Sequence, residues 1–177
     1  MRRLLAILLI ALPGTAQATK YAGEPFYLGI GGRALALGGS SVGARPDAAS
    51  PFWNPASLTA LAYPELMFQH SETFGSLLDH DYFGGVLPVG RVGGDWAWGA
   101  QIIRLGGGGI QLTEIDSTTG RPKVGDVASH SNWTVGVSAA RSIGKWGSVA
   151  LTAKGLLNDI PGNSAWGLGV DLSWWKD

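Results

Sequence analysis

Apolar and polar residues alternate with a period of two through the C-terminal two-thirds of the chain. The alternation is cleanest in three runs. Trp133, Val135, Val137 and Ala139 oppose Asn132, Thr134, Gly136, Ser138 and Ala140. Val149, Leu151, Ala153 and Leu157 oppose Ser148, Ala150, Thr152 and Lys154. Trp166, Leu168, Val170, Leu172 and Trp174 oppose Gly167, Gly169, Asp171 and Ser173. Successive side chains on a strand point to opposite faces, so each run predicts a strand with one greasy face and one small or polar face. Residues 94–105 repeat the pattern, with Trp96, Trp98, Ala100 and Ile102 against Asp95, Ala97, Gly99 and Gln101. Residues 63–70 set Leu66 and Phe68 opposite Glu65, Met67 and Gln69, and Pro64 suits only a strand start or an edge. Residues 80–89 predict a weaker strand, apolar on parts of both faces.

The connections also form a pattern. Residues 90–93 and 142–145 are short, whereas 71–79, 106–131 and 158–164 are longer. Residues 106–131 open on a run of glycines and turn polar after Ile110, which predicts a long loop with room for a small hairpin. Transmembrane barrels alternate in this way, with short periplasmic turns and longer extracellular loops. The expected fold class is therefore all-β, an antiparallel transmembrane β-barrel arrangement with about six strands over 63–177. Trp96, Trp133, Trp146, Trp166 and Trp174 fall near strand ends, where an aromatic girdle would hold ring bodies in hydrocarbon and N–H groups in water.

Residues 19–62 read differently. Gly38, Gly39, Gly43, Pro46, Pro51 and Pro55 forbid a long helix. Leu35, Leu37, Phe52, Trp53 and Leu58 are too apolar for a flexible linker. A compact, irregular, packed segment is expected, with at most a turn or two of helix after Pro55. Ahead of it, Met1-Arg2-Arg3, the apolar run 4–12 and Ala16-Gln17-Ala18 have the order of a cleaved signal peptide, 1–18.

Composition narrows the class. Only 15% of residues are charged, against about 25% in ordinary soluble domains. There is no cysteine, so an exported chain gains nothing from disulfides. Beyond the signal, no apolar run approaches the ~20 residues of a membrane helix. Lys and Arg are scattered, which excludes a nucleic-acid interface. Export, low charge, 28 glycines and 8 tryptophans together favour the outer membrane of a Gram-negative bacterium and contact with its lipid.

Within residues 31–58, GGRALALGGSSVGARPDAASPFWNPASL, several elements recur in one known group. They are Gly31-Gly32-Arg33, Ala36-Leu37-Gly38-Gly39, then Asp47, then Trp53-Asn54-Pro55-Ala56 with Leu58. This segment resembles the start of PorV/PorQ-type outer-membrane proteins. Those are similar to the FadL-type barrels, which share Asn-Pro-Ala in a plug inside the barrel. Ala153-Lys154-Gly155 and Gly167 to Leu172 resemble the Lys-containing strand and the following Gly-x-x-x-Asp-Leu strand of the PorV type, although Ser173 stands where that family has Gly. The resemblance implies an N-terminal plug over 19–62 and a non-enzymatic envelope role without a cofactor. For the PorV type that role is the handling of proteins exported by type IX secretion. The FadL side implies passive passage of hydrophobic small molecules, with Leu35, Leu37, Phe52 and Trp53 lining a greasy route.

About six strands fall short of the roughly eight or more of a closed transmembrane barrel. Unpaired strand edges in lipid cost several kcal/mol per group, so the sequence reads as the N-terminal part of an incomplete barrel. Self-assembly of several short chains is the rival. Lys154 and Asp171 share the inward parity on neighbouring strands and are expected to pair toward the lumen.

Other chemistry is thin. Gly39-Ser40-Ser41-Val42-Gly43 fits the G-x-S-x-G pattern of serine hydrolases but lacks a preceding strand, so Ser40 and Ser41 are a distant third reading. Gly29-Ile30-Gly31-Gly32 has no βαβ unit around it. His70 and His80 flank one connection beside Asp79 and Asp81, which permits a surface metal site without zinc-type spacing. No catalytic or metal residue is assigned.

Overall fold

The computed structural model describes residues 24–75, 77–90 and 95–177. The expected signal peptide lies outside the described residues, as do 19–23 of the plug segment and 91–93 of the expected turn. Six strands follow the N-terminal segment: β1 Glu65–Thr73, β2 Leu78–Val89, β3 Trp96–Ile115, β4 Pro122–Ser142, β5 Ser148–Ile160 and β6 Asn163–Trp175. Each pairs antiparallel with its sequence neighbour, giving one sheet in the order β1-β2-β3-β4-β5-β6. Among the described residues β1 and β6 do not pair with each other, so both are edges.

The expected long loops are mostly strand. Residues 106–131 are the outer halves of β3 and β4, joined only by 116–121. Side chains beyond Gly107 are exposed on both faces, so no apolar alternation marked this part as strand. Asp116 builds the turn by accepting N–H bonds from Thr118 (2.7 Å) and Thr119 (3.2 Å). Those bonds hold its carboxyl below the ordinary range. Likewise β1 and β2 extend into 71–79, and β5 and β6 meet at Pro161-Gly162, where Gly162 has φ 81° as a type II turn requires. The two ends of the sheet therefore do not differ as short and long loops. They differ because one hairpin, β3–β4, projects beyond the rest.

The N-terminal segment, expected as a plug, is built from α1 Gly32–Ala36, α2 Ser50–Trp53 and a 3-10 helix Pro55–Ala60. Gly38 and Gly39 end α1 in a Schellman motif. The Gly39 N–H reaches Ala34 C=O (2.8 Å) and the Gly38 N–H reaches Leu35 C=O (3.0 Å), with Gly38 at φ 66°. The core lies between this segment and one face of the sheet. Ala56, Leu58 and Leu61 pack on Val86, Ala97, Ala140 and Ala150, while Ile30 and Ala49 pack on Tyr82 and Ile103. The sheet's small inward residues make room: a Cβ at Gly99 would stand 2.7 Å from Leu58 Cδ1 and 3.1 Å from Pro51 Cγ.

Candidate functional site

The residues singled out between 31 and 56 form the N-terminal segment's internal frame and its attachment to the sheet. Gly31, at φ 85°, donates its N–H to Gln69 Oε1 on β1 (2.7 Å). Arg33 pairs with Asp47 (2.7 Å) and donates to Arg45 C=O (2.6 Å), tying α1 to the segment before α2. Asp47 also accepts from the Ala49 N–H (2.9 Å). Trp53 Nε1 donates to Ile30 C=O (2.8 Å). Asn54 is the hub: its side-chain oxygen accepts from the Ala56 N–H (3.2 Å), and its Nδ2 donates to Val42 C=O (3.1 Å) and Trp174 C=O (3.3 Å). Pro55 starts the 3-10 helix, where the N–H it lacks has no intrahelical partner to lose. Gly32 opens α1, and Leu37 caps it with its side chain exposed.

Two attachments carried no signal in the sequence. Tyr82, fully buried on β2, donates its hydroxyl to Ala48 C=O (2.9 Å). Its ring lies over Gly84, where a Cβ would overlap the hydroxyl. Thr59 and Ser148 hydrogen-bond across the seat (2.6 Å). Much of the rest of the inner face is also polar. Ser138 bonds Thr152 (2.8 Å), and Gln101 and Thr134 are buried without a side-chain partner. Lys154 and Asp171 form an ion pair on this face, and the Lys154 ammonium sits 4.7 Å from the Phe26 ring centroid.

The outer face is the reverse. Register aligns its residues in rows across the strands. One row runs Phe68, Phe83, Ile102, Val135, Gly155, Leu168; the next runs Leu66, Gly85, Ala100, Val137, Ala153, Val170. A third holds Leu87, Trp98, Ala139, Leu151 and Leu172. All the large members are exposed; Leu168 is 80% exposed. Two rows bound this band. At the hairpin end His70, Asp81, Arg104, Trp133, Leu157 and Trp166 align, with the Arg104 guanidinium 5.9 Å from the Trp133 ring centre. At the other end Val89, Trp96, Arg141, Val149 and Trp174 align, with Arg141 5.2 Å from the Trp96 ring centre. Trp174 Nε1 donates to Trp146 C=O (2.9 Å) in the turn just beyond. Five of the tryptophans named as a girdle thus lie in, or directly beyond, these two rows.

The remaining candidates separate. Leu35 and Trp53 both close on Gly29, Trp53 meets Phe52 edge to face at 4.9 Å, and Leu37 is exposed. Ser40 and Ser41 lie in turns after α1, not at a strand-to-helix elbow. His80 is buried on the inner face, whereas His70, Asp79 and Asp81 are on the outer one.

No protein-family model matches the chain. No curated protein matches it, and no solved structure matches it.

Proposed function

We propose that this chain forms a lipid-facing wall, with its plug, of an outer-membrane β-barrel of the PorV/PorQ type, non-enzymatic and engaged with exported proteins. The observation that carries the membrane reading is the inversion of the sheet. Outside the core cluster of Tyr82, Val86, Ile103 and Leu105, its packed face is small and polar, and its free face is apolar. A soluble sandwich does the opposite, burying its apolar alternate residues and wetting the polar ones. The apolar band spans six strands, about 24 Å at ~4.8 Å per strand spacing, and about 27 Å along the strands at ~3.4 Å per residue. That area exceeds the ~300–600 Å² of the largest patch on a typical soluble monomer. With strands tilted ~35–45°, the band stands about 19–22 Å tall, near the ~25 Å apolar belt of outer-membrane barrels. Arginine and tryptophan at both margins suit an interface where rings stay in hydrocarbon and charges in water. The reading requires the edges β1 and β6 to pair with further strands, because unpaired backbone groups in lipid cost several kcal/mol each.

Vesicles made with lipids brominated at mid-chain test the membrane placement. Trp98 should be quenched most strongly, compared by single-tryptophan variants with Trp96 and Trp133. Uniform, weak quenching at all three would reject it. The secretion role is tested by affinity capture from a native envelope fraction, where exported proteins should be recovered with the chain; a clean capture argues against it. Passage of hydrophobic small molecules is a second reading, supported by the contact of Phe26, Phe52 and Trp53 on the plug. It calls for saturable fatty-acid binding that Trp53→Ala weakens, and its absence removes that reading.

A further inference from the structure

We propose that His70, Glu72 and Asp79 form a site for one exchangeable divalent transition-metal ion at the hairpin-end margin of the outer face. The three come together through strand register. His70 and Glu72 are alternate residues of β1 on one face, and Glu72 is the direct cross-strand partner of Asp79 on β2. One ligand atom from each lies within 4.8 Å of the other two. A tetrahedral ion at ~2.0–2.1 Å from nitrogen and oxygen needs donors roughly 3.3–3.4 Å apart. The cluster therefore closes by about 1.5 Å at most, through exposed side chains of β1 and a half-buried one of β2.

A second observation makes this more than a group of surface acids. His70 Nδ1 is 2.6 Å from Asp81 Oδ1, and Asp81 is not one of the three donors. A carboxylate holding the proton on one ring nitrogen is the arrangement found behind most metal-bound histidines. The other atom, Nε2, faces the cluster and is paired with Glu72 Oε1 (3.4 Å), so a bound ion would take the place of that contact between the two donors. Asp81 is itself held from β3 by Arg104 (3.0 Å), whose guanidinium lies over Trp133. The ring is thus oriented by a chain of contacts running away from the site across three strands.

One imidazole nitrogen and two carboxylates suit zinc and its first-row neighbours. Calcium and magnesium prefer oxygen alone. Three protein donors leave at least one position open, so the ion would be exchangeable and able to accept an outside ligand. His80 takes no part, because alternation sends it to the inner face.

The test uses the full chain in detergent micelles with Zn²⁺ as probe, read by calorimetry and by the ring-proton resonances of His70, His80 and His130. We expect one Zn²⁺ per chain, His70 resonances alone shifting, and no displacement by a large excess of Ca²⁺. His70→Ala should weaken binding at least tenfold. Asp81→Asn, which removes no donor, should weaken it about 10–100-fold, as loss of an orienting partner does. Absence of binding up to millimolar Zn²⁺, equal affinity in His70→Ala, or displacement by comparable Ca²⁺ would each overturn the proposal. All four side chains lie at the surface margin, and far-UV circular dichroism verifies that each variant folds. The proposal does not rest on the membrane reading, and either stands if the other fails.

Discussion

Val137→Arg separates a lipid-facing sheet from a water-facing one. Val137 sits on β4, in the middle of the sheet, midway between Trp133 at one margin and Arg141 at the other. At ~3.4 Å per residue, each margin is about 14 Å away along the strand. Its side chain is 51% exposed, and its register partners are Ala100 and Ala153, so a longer side chain meets little steric opposition. In water the guanidinium would stay solvated, and the change should fall within about ±0.5 kcal/mol. Facing lipid at mid-depth, it should cost about 2–4 kcal/mol, with the cost falling to ~0–1 kcal/mol near the interfaces. At ~1.4 kcal/mol per tenfold, the lipid case lowers the folding equilibrium about 25- to 700-fold. Ala139→Arg, one step nearer the margin, should cost less, and the native Arg141 marks where arginine is tolerated. The assay is equilibrium urea unfolding from lipid vesicles, followed by tryptophan fluorescence. A Val137→Arg midpoint equal to wild type, or no gradient from Val137 to Ala139, would refute the reasoning.

Three further outcomes follow from the plug, the inner face and the projecting hairpin. Gly99→Leu drives a side chain into Leu58 and Pro51, and overpacking of this kind costs about 1–3 kcal/mol, so limited proteolysis should cut the plug segment sooner while the strands stay protected. Asp171→Asn should destabilise more than Lys154→Met. The first strands a cation whose side chain is only 16% exposed, and the second leaves a carboxylate that is half in solvent; denaturant midpoints of the two variants decide, and the reverse order would contradict the geometry. The Asp116 turn should loosen in acid. Its carboxyl titrates lower folded than unfolded, so its support is complete above the ordinary carboxylate pKa and disappears as pH falls through the depressed value. Amide exchange at Thr118 and Thr119 should accelerate in that window, and exchange without pH dependence beyond the intrinsic rate would argue against it.

Parity along the strands was legible in the sequence because it is local. Each residue's face follows from its neighbour's, and Trp166, Leu168, Val170 and Leu172 were assigned together wherever one was. Lys154 and Asp171 were legible as a pair for the same reason. The outer halves of β3 and β4 were not, because a strand solvated on both faces leaves no period to read. The frame of the plug was recognisable only as a set of residue types. Arg33 with Asp47 and the Schellman glycines are contacts within a short span.

The amino-acid order by itself determined which residues share a face and where glycine and proline break the chain, since both depend on covalent neighbours. Only the tertiary structure decided which face is covered. Asn54 reaches Trp174 C=O across 120 residues of sequence, and Tyr82 meets Ala48 across 34. Such contacts are set by how the plug seats on the sheet, and that seating depends on cavities such as the one over Gly99, which exist only once the strands have paired.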